Sequence, residues 1–491
     1  MIDFFKKKES ILIFLCSLAY FTFSFFTIFT SGYLYLDDRN RVINNFTGWR
    51  DQGRPLADAL FYLFKVNGVV VDITPIPQII SIILLSLSIV LLSEIGSSNK
   101  YRKALCSLSI FTTPFFIQNI SYRFDNVIMS LAIFMAIFSV FILYKFKSKK
   151  ASFFSALALF SVFGLYQPAI NIYLAVAFIG MIICESKYLF VVRMILVSLA
   201  TIISYKCLIT IIPPMGDYGI NNSKVISIND IFPHSVHIIK SYGGFLWGSG
   251  GRIFKLLIVA LFFSILLSSL LAVARKKYKS AWVLLLSIPF SGFSCLGLLW
   301  FLENSVIQPR VMLGVGGVIY LLSIMVIEKS SSKFLKKIII LALFINAWFF
   351  MLSSVSYGNI LRRLSVHDSV YIQNILQEIN KKAKAEDVEL YILGEAPEPK
   401  DIQLIKKAVP VTNIMLQTTL DGGWSSGHGL VMYGISSNIH YHETLMKDFI
   451  SGFYGERYKT CLWGDIEKLP DYYLYKFDNV IVIDFYKKCN G

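Results

Sequence analysis

Residues 11–30, ILIFLCSLAYFTFSFFTIFT, form an uncharged apolar run between Lys6-Lys7-Lys8 and the cluster Leu34-Tyr35-Leu36-Asp37-Asp38-Arg39-Asn40-Arg41. A helix of about 20 apolar residues crosses a hydrocarbon core. The run is longer than the apolar part of a secretory leader and has no small-residue cleavage site, so it is expected to remain as a first membrane helix. The rest of the chain repeats the pattern. Of the 491 residues, 55% are hydrophobic and 16% charged, and the mean hydropathy is +0.61. A soluble chain carries about 25% charged residues. The expected fold is therefore a polytopic α-helical membrane protein.

Apolar runs at 11–31, 75–93, 103–118, 126–144, 151–165, 168–184, 188–212, 253–274, 281–302, 310–327 and 338–356 predict about eleven spans. Runs 103–118 and 151–165 are short enough to be re-entrant or mismatched to the bilayer. The net charge of +16 could suggest a nucleic-acid partner. Most Lys and Arg residues lie instead in short links, such as Lys145 to Lys150 and Arg275 to Lys279, where they report topology. No nucleic-acid partner is expected. Lys6 to Lys8 place the N-terminus in the cytoplasm, and alternation puts 32–74, 213–252 and the region after 356 on the far side. The division expected is a membrane domain over 1–356 and a periplasmic domain over 357–491. The latter reads as α/β, with a helix at Val370–Ala385 and strands at Val388–Leu393 and Val480–Asp484. Within 32–74, the apolar spacing of Leu56, Leu60, Phe61 and Phe64 predicts a helix lying flat on the membrane or packed on the C-terminal domain.

Charged groups at a bilayer edge need a reason. Asp37 and Asp38 are adjacent, so they cannot point the same way. One can face a substrate as a general base while the other is held by an arginine or a backbone donor. The ordinary alternative is a hydrated pair that stops the first helix. Trp49 and Arg54 belong to the same loop. The short link Tyr122-Arg123-Phe124-Asp125 carries one cation and one anion. Arg123 could bind a phosphate through its fork of donors, with Asp125 positioning it or a sugar hydroxyl. The pair could equally cap the next helix. Tyr166-Gln167-Pro168 breaks an apolar hairpin on the same face, and Gln167 could hydrogen-bond a sugar. Glu303 and Arg310 flank another such link, Arg310 being a further phosphate-binding candidate or a snorkelling helix-end arginine. His428, His440 and His442 lack the carboxylate pattern of a metal site, and no metal is expected. The loop from Asp421 to His428 could touch a sugar or be a surface turn. No nucleotide-binding loop stands in a strand–helix context.

Asp37-Asp38-Arg39, Gly48-Trp49, Gly53-Arg54-Pro55, Tyr122-Arg123-Phe124-Asp125 and Tyr166-Gln167 together resemble the bacteriophage-type serotype-converting O-antigen glucosyltransferases, within the GT-C class. The resemblance runs to about residue 185 and extends in layout to the C-terminal domain. It implies a polyprenyl-phosphate-glucose donor, a lipid-linked O-antigen acceptor and a site at the periplasmic side of the bacterial inner membrane. It implies no cofactor. It maps the catalytic carboxylate to Asp37 or Asp38. Beside it, the residues themselves offer Arg39, Arg54, Arg123 and Arg310 for the donor phosphate and Trp49, Asp125, Tyr166 and Gln167 for sugar contacts. The alternatives are a flippase for lipid-linked sugars or an O-antigen polymerase or ligase. A flippase favours ionisable groups near the bilayer midplane, and a polymerase or ligase does not call for an acidic pair after the first helix. Cys461 and Cys489 lie outside the apolar runs. In an oxidising periplasm they could form a disulfide, or stay as free thiols.

Overall fold

The structure is a computed structural model that describes residues 7–184, 186–212, 216–382, 389–416, 420, 430–432, 439–440, 465–477 and 479–487. Asp421 to His428, His442, Cys461 and Cys489 lie outside the described residues, and so does the disulfide expected of the last two.

Among the described residues, seven helices are long and apolar enough to cross a membrane. They are α1 (Lys8–Phe29), α4 (Ile76–Ser93), α7 (Asp125–Lys145), α10 (Lys187–Ile211), α13 (Arg252–Ala274), α14 (Tyr278–Leu296, extended by a 3-10 turn to Phe301) and α16 (Lys333–Lys382). Three shorter helices complete the bundle: α8 (Lys149–Leu165), α9 (Ile170–Ile183) and α15 (Leu313–Lys329). Helix α7 packs on α4, α8 and α9, while α15 packs on α9, α13 and α14. Helix α1 lies between α16 and α4. The α1–α16 crossing is close because Gly358 has no side chain: a Cβ there would stand 2.4 Å from the Ile28 nitrogen.

The expected span 103–118 is instead two short helices, α5 (Lys100–Leu108) and α6 (Phe116–Ser121). Pro114 disfavours helical geometry at the residue before it. The freed backbone is buried in protein, and the Thr112 carbonyl accepts from Asn346 Nδ2 at 2.9 Å. That satisfies the rule for irregular chain at membrane depth. The expected flat helix is a seven-residue α3 (Pro55–Phe61). It packs on α8, where Leu56 fills the space beside Gly164, and Tyr62 and Leu63 beyond it are exposed. The segment 213–252 is largely helical, with α11 (Asp217–Ser223) and the longer α12 (Ile231–Ser249).

Helix α16 runs for 50 residues. The boundary expected at 356 falls inside it, and the helix expected at 370–385 is its final part. Leu361, Leu364, Asp368, Ile372, Ile375 and Ile379 are all buried. Their spacing of three and four keeps one stripe facing protein beyond the apolar span. The last of these residues pack on a mixed five-stranded sheet of order β2-β1-β5-β4-β3. Strand β1 (Glu389–Leu393) is parallel to β2 (Ile439–His440) and to β5 (Val480–Asp484). Strands β3 (Asp465–Lys468), β4 (Tyr473–Phe477) and β5 are antiparallel. Alternation puts Leu390, Ile392, Ile481 and Ile483 on the face that meets α16. Every residue of β5 is buried, which marks it as a central strand. The short helices α17 (Lys400–Ala408) and α18 (Thr412–Met415) bring Pro410 to 3.7 Å from where a Gly251 Cβ would stand, at the start of α13.

The two ends of the bundle differ in chemistry. At one end Lys100 pairs with Glu94 and lies 3.6 Å from Glu9. Glu328 there accepts from Ser97 Oγ and Ser98 N, both at 2.9 Å. The opposite end gathers the segments 31–74, 122–125, 166–167 and 302–311.

Candidate functional site

At that second end the chain leaves α1 through a strained turn. Leu36 has φ 44° and ψ −108°, a left-handed φ that a leucine rarely adopts. Helix α2 (Asp37–Asn44) begins immediately after it. Such outliers persist where surrounding bonds over-determine them, and here the bonds come from Asp38. Its Oδ2 accepts from the backbone N–H groups of Tyr35 at 3.1 Å and Arg123 at 2.9 Å. Its Oδ1 accepts from Phe124 N–H at 3.4 Å. The side chain is 0% exposed. Burial pushes the Asp38 carboxyl up to about 8, with the Arg123 N–H acting against it, the Asp125 charge adding to it, and Arg41 and the Tyr35 N–H again opposing. Asp38 thus staples the loop after α1 to the Tyr122–Asp125 link.

Asp37 points the other way. It is partly exposed, and its Oδ2 lies 3.4 Å from Arg310 Nη1. The same Nη1 donates to the Tyr122 hydroxyl at 2.5 Å. Burial holds that phenol well above its usual range, the Arg310 charge acting the other way, so it stays neutral and accepts from the guanidinium. The Arg310 backbone is fixed by three side chains: its N–H donates to Gln118 Oε1 at 2.7 Å, and its carbonyl accepts from Asn119 Nδ2 at 3.0 Å and Tyr166 Oη at 2.7 Å.

A cavity of about 310 Å³ opens beside Arg310. Arg54, Gln167, Asn171, Tyr205 and Asn222 contribute polar groups to it, and Phe163, Ile209, Leu298, Leu299 and Leu302 form an apolar wall. Arg54 Nε donates to Gln167 Oε1 at 3.1 Å, and its guanidinium lies 5.1 Å from the centre of the Tyr166 ring. Gln167 Nε2 donates to the Gly53 carbonyl at 3.1 Å, which also accepts from Tyr205 Oη. Loops 53–54 and 166–167 and the outer part of α10 are thereby tied into one wall.

The remaining sequence-expected residues lie beneath or beside this cavity. Arg123 pairs with Asp72 and donates to the Tyr33 carbonyl at 3.2 Å. Arg39 donates to the Tyr33 hydroxyl at 2.7 Å and to the Leu34 carbonyl. Asp125 is buried in an ion pair with Arg41 at 3.0 Å. Trp49, 2% exposed, carries the Arg41 guanidinium on its ring at 4.0 Å and packs on Phe61. These groups hold the loop rather than line the cavity. The structure therefore brings Asp37, Arg54, Arg310, Tyr166 and Gln167 together and sets Asp38, Arg39, Arg123, Asp125 and Trp49 around them. Sequence reasoning missed Tyr205 and Asn171, and it named Arg41 beside the acidic pair without giving it a role. Tyr205 is a polar tip inside an apolar span, beside Lys206, and that was its only signal.

The family described as Glucosyl transferase GtrII matches residues 26–321, a stretch that contains every residue of this site. A protein of Salmonella phage P22, described as an uncharacterized 55.3 kDa protein in the gtrB 5' region, is 29% identical over 212 residues. That match covers 42% of this chain and 44% of the phage protein, so the chain spans less than half of that relative. No solved structure matches the chain. The family match covers more than half of the chain and includes helices α4 to α14 and the loops that hold Asp37 and Arg310, and the chain belongs to the Glucosyl transferase GtrII family.

Proposed function

We propose that the chain moves glucose from a polyprenyl-phosphate donor to a sugar of lipid-linked O-antigen, on the periplasmic side of the bacterial inner membrane, with Asp37 as general base. Arg310 is the observation that carries this reading: the residue lines the cavity, and its guanidinium meets the partly exposed carboxylate of Asp37 in the loop after α1. In the reaction an acceptor hydroxyl oxygen attacks C1 of glucose. The bond from C1 to the phosphate oxygen breaks, the phosphate keeps the electron pair, and Asp37 takes the hydroxyl proton. A phosphate monoester has its second ionisation near about pH 6, so the leaving group departs as a dianion without a general acid. Arg54 and Arg310 supply the fork of donors that suits its oxygens. A glycosidase would need two carboxylates in complementary roles, whereas burial of Asp38 leaves one accessible carboxylate from the acidic pair. The apolar wall formed by Phe163, Ile209 and Leu298 offers the polyprenyl chain a path to the lipid.

The test is label transfer by the purified full chain in detergent, from polyprenyl-phosphate-[14C]glucose to lipid-linked O-antigen. The expected result is label covalently in the acceptor. A chain that carries donor across a vesicle bilayer without covalent transfer is a transporter, and one that lengthens the acceptor without adding glucose is a polymerase. Either result overturns the reading.

Sidedness has its own test. In a background with Cys16 and Cys207 changed to Ser, cysteines at Asn221 and Glu395 are expected to label from outside the inner membrane. Cysteines at Lys277 and Lys333 are expected to label only after permeabilisation. Outside labelling at Lys277 would place the arginine cavity in the cytoplasm.

A further inference from the structure

A second cavity, of about 340 Å³, adjoins the first and shares Asn222 and Asn304 with it. We propose that this polar cavity is the acceptor subsite and holds a neutral sugar, an assignment that rests on the transferase reading above.

Helix α12 builds one wall. His234, His237 and Ser241 are spaced by three and four residues, so they share a face, and all three line the cavity. Phe232, Val236 and Ile239 on another face are 79%, 53% and 52% exposed. A helix with one polar and one exposed apolar face suits the bilayer edge, which is where a lipid-linked acceptor presents its sugar. Glu303 and Asn304 form the facing wall. That wall is fixed by backbone pairing, since Glu303 N–H donates to the Lys224 carbonyl at 2.9 Å and Ile226 N–H donates to the Phe301 carbonyl at 3.0 Å. Asn304 Nδ2 adds a bond to the Asn221 carbonyl at 3.1 Å.

The lining selects the ligand class. Two imidazoles, two amides, hydroxyls and one carboxylate offer both donors and acceptors, as a ring of sugar hydroxyls requires. No Lys or Arg is among the lining residues, and Glu303 repels an anion, so the phosphate belongs in the first cavity. Among the described residues no group of His, Cys, Asp and Glu is placed to hold a metal ion. Nε2 of His234 is buried without a hydrogen-bond partner. A buried polar atom left unpaired is costly, and a small rotation of the imidazole toward the cavity would let a ligand hydroxyl pair with it. The volume falls in the range of small-molecule sites. The shared residues place an acceptor hydroxyl at the border of the cavity that holds Arg54 and Arg310.

The experiment is saturation-transfer NMR on the full chain in detergent, without donor. The probes are neutral tri- and tetrasaccharides released from bacterial O-antigen by mild acid. Wild type is expected to saturate at least one of them. Glu303→Gln and His234→Ala should each weaken that binding by about tenfold or more, the scale of a lost hydrogen bond to a buried or charged group. Both variants should keep the wild-type elution profile and a donor KM within about twofold, since neither residue lines the phosphate cavity. Absence of saturation in wild type, or equal saturation in both variants, overturns the subsite. A chain that binds these sugars through Glu303 and His234 but transfers no glucose sinks the transferase reading alone. A chain that transfers glucose with an unchanged acceptor KM in both variants sinks the subsite alone.

Discussion

Asp37→Asn is expected to lower glucose transfer by at least about a hundredfold, with the donor KM little changed and the protein eluting as a folded species. The substitution keeps the size of the side chain and removes the proton acceptor. Asp37 is the first residue of α2, partly exposed, and meets the Arg310 guanidinium at 3.4 Å, a contact that an amide oxygen can still make. Little folding energy is at stake there. Asp38→Asn should behave in the opposite way. An amide has only one acceptor oxygen, and its NH₂ would face a backbone N–H that now donates to Asp38. Leaving one such donor unsatisfied costs about 1–3 kcal/mol, so this variant is expected to lose thermal stability and yield first. Its carboxyl, pushed up to about 8 by burial, would suit a general base by value alone. Geometry comes before pKa in that choice, and a fully buried carboxyl group committed to three N–H donors cannot reach an acceptor hydroxyl. Assay of both variants, normalised to folded protein, separates the roles. Near-normal specific transfer by Asp37→Asn would remove the loop from the chemistry.

What the sequence made legible follows from which signals are local. Membrane spans are set by uninterrupted apolar length, so α1, α4, α7 and α13 fall within a few residues of their expected limits. The break at Thr112 and Thr113 was hidden because both sides of it are apolar, and only Pro114 marked it. The continuation of α16 was hidden for another reason. Its surface turns polar at the end of the apolar span, while the buried stripe through Leu361, Leu364, Asp368 and Ile372 carries on at helical spacing. A composition reading sees the first change and misses the second. At the site, the adjacency of Asp37 and Asp38 foretold that one would face out and one would be held. It could not say that three backbone N–H groups would hold Asp38, because two of them come from residues 123 and 124. The arginines were recognisable as a set but not by role. Arg123 finds Asp72, and Arg310 finds Asp37 across 273 positions. The wall of His234, His237 and Ser241 was legible in principle, through helical spacing within the segment 213–252, which the charge pattern places on the far side without assigning it a structure.

Arg310→Lys is expected to raise the donor KM by about tenfold or more and to lower turnover as well, whereas Arg123→Lys should have a much smaller effect on either. A lysine keeps the charge but presents a point rather than a planar fork. At position 310 Nη1 reaches Asp37 and the Tyr122 hydroxyl, and the residue lines the cavity in which the phosphate is proposed to sit. A single ammonium cannot hold the phosphate and the base together in that geometry. The backbone there is pinned by Gln118, Asn119 and Tyr166, so the chain has little freedom to bring a shorter set of donors into place. Pre-positioning of this kind is where oriented charge contributes most to a developing anion. Arg123 differs because its guanidinium is engaged by Asp72 and the Tyr33 carbonyl, and its structural contribution comes through its backbone N–H to Asp38, which lysine retains. Steady-state kinetics with varied polyprenyl-phosphate-glucose measure the contrast. Equal donor KM values for wild type and Arg310→Lys would move the phosphate away from this cavity, and with it the argument that Asp37 and the leaving group are joined through one arginine.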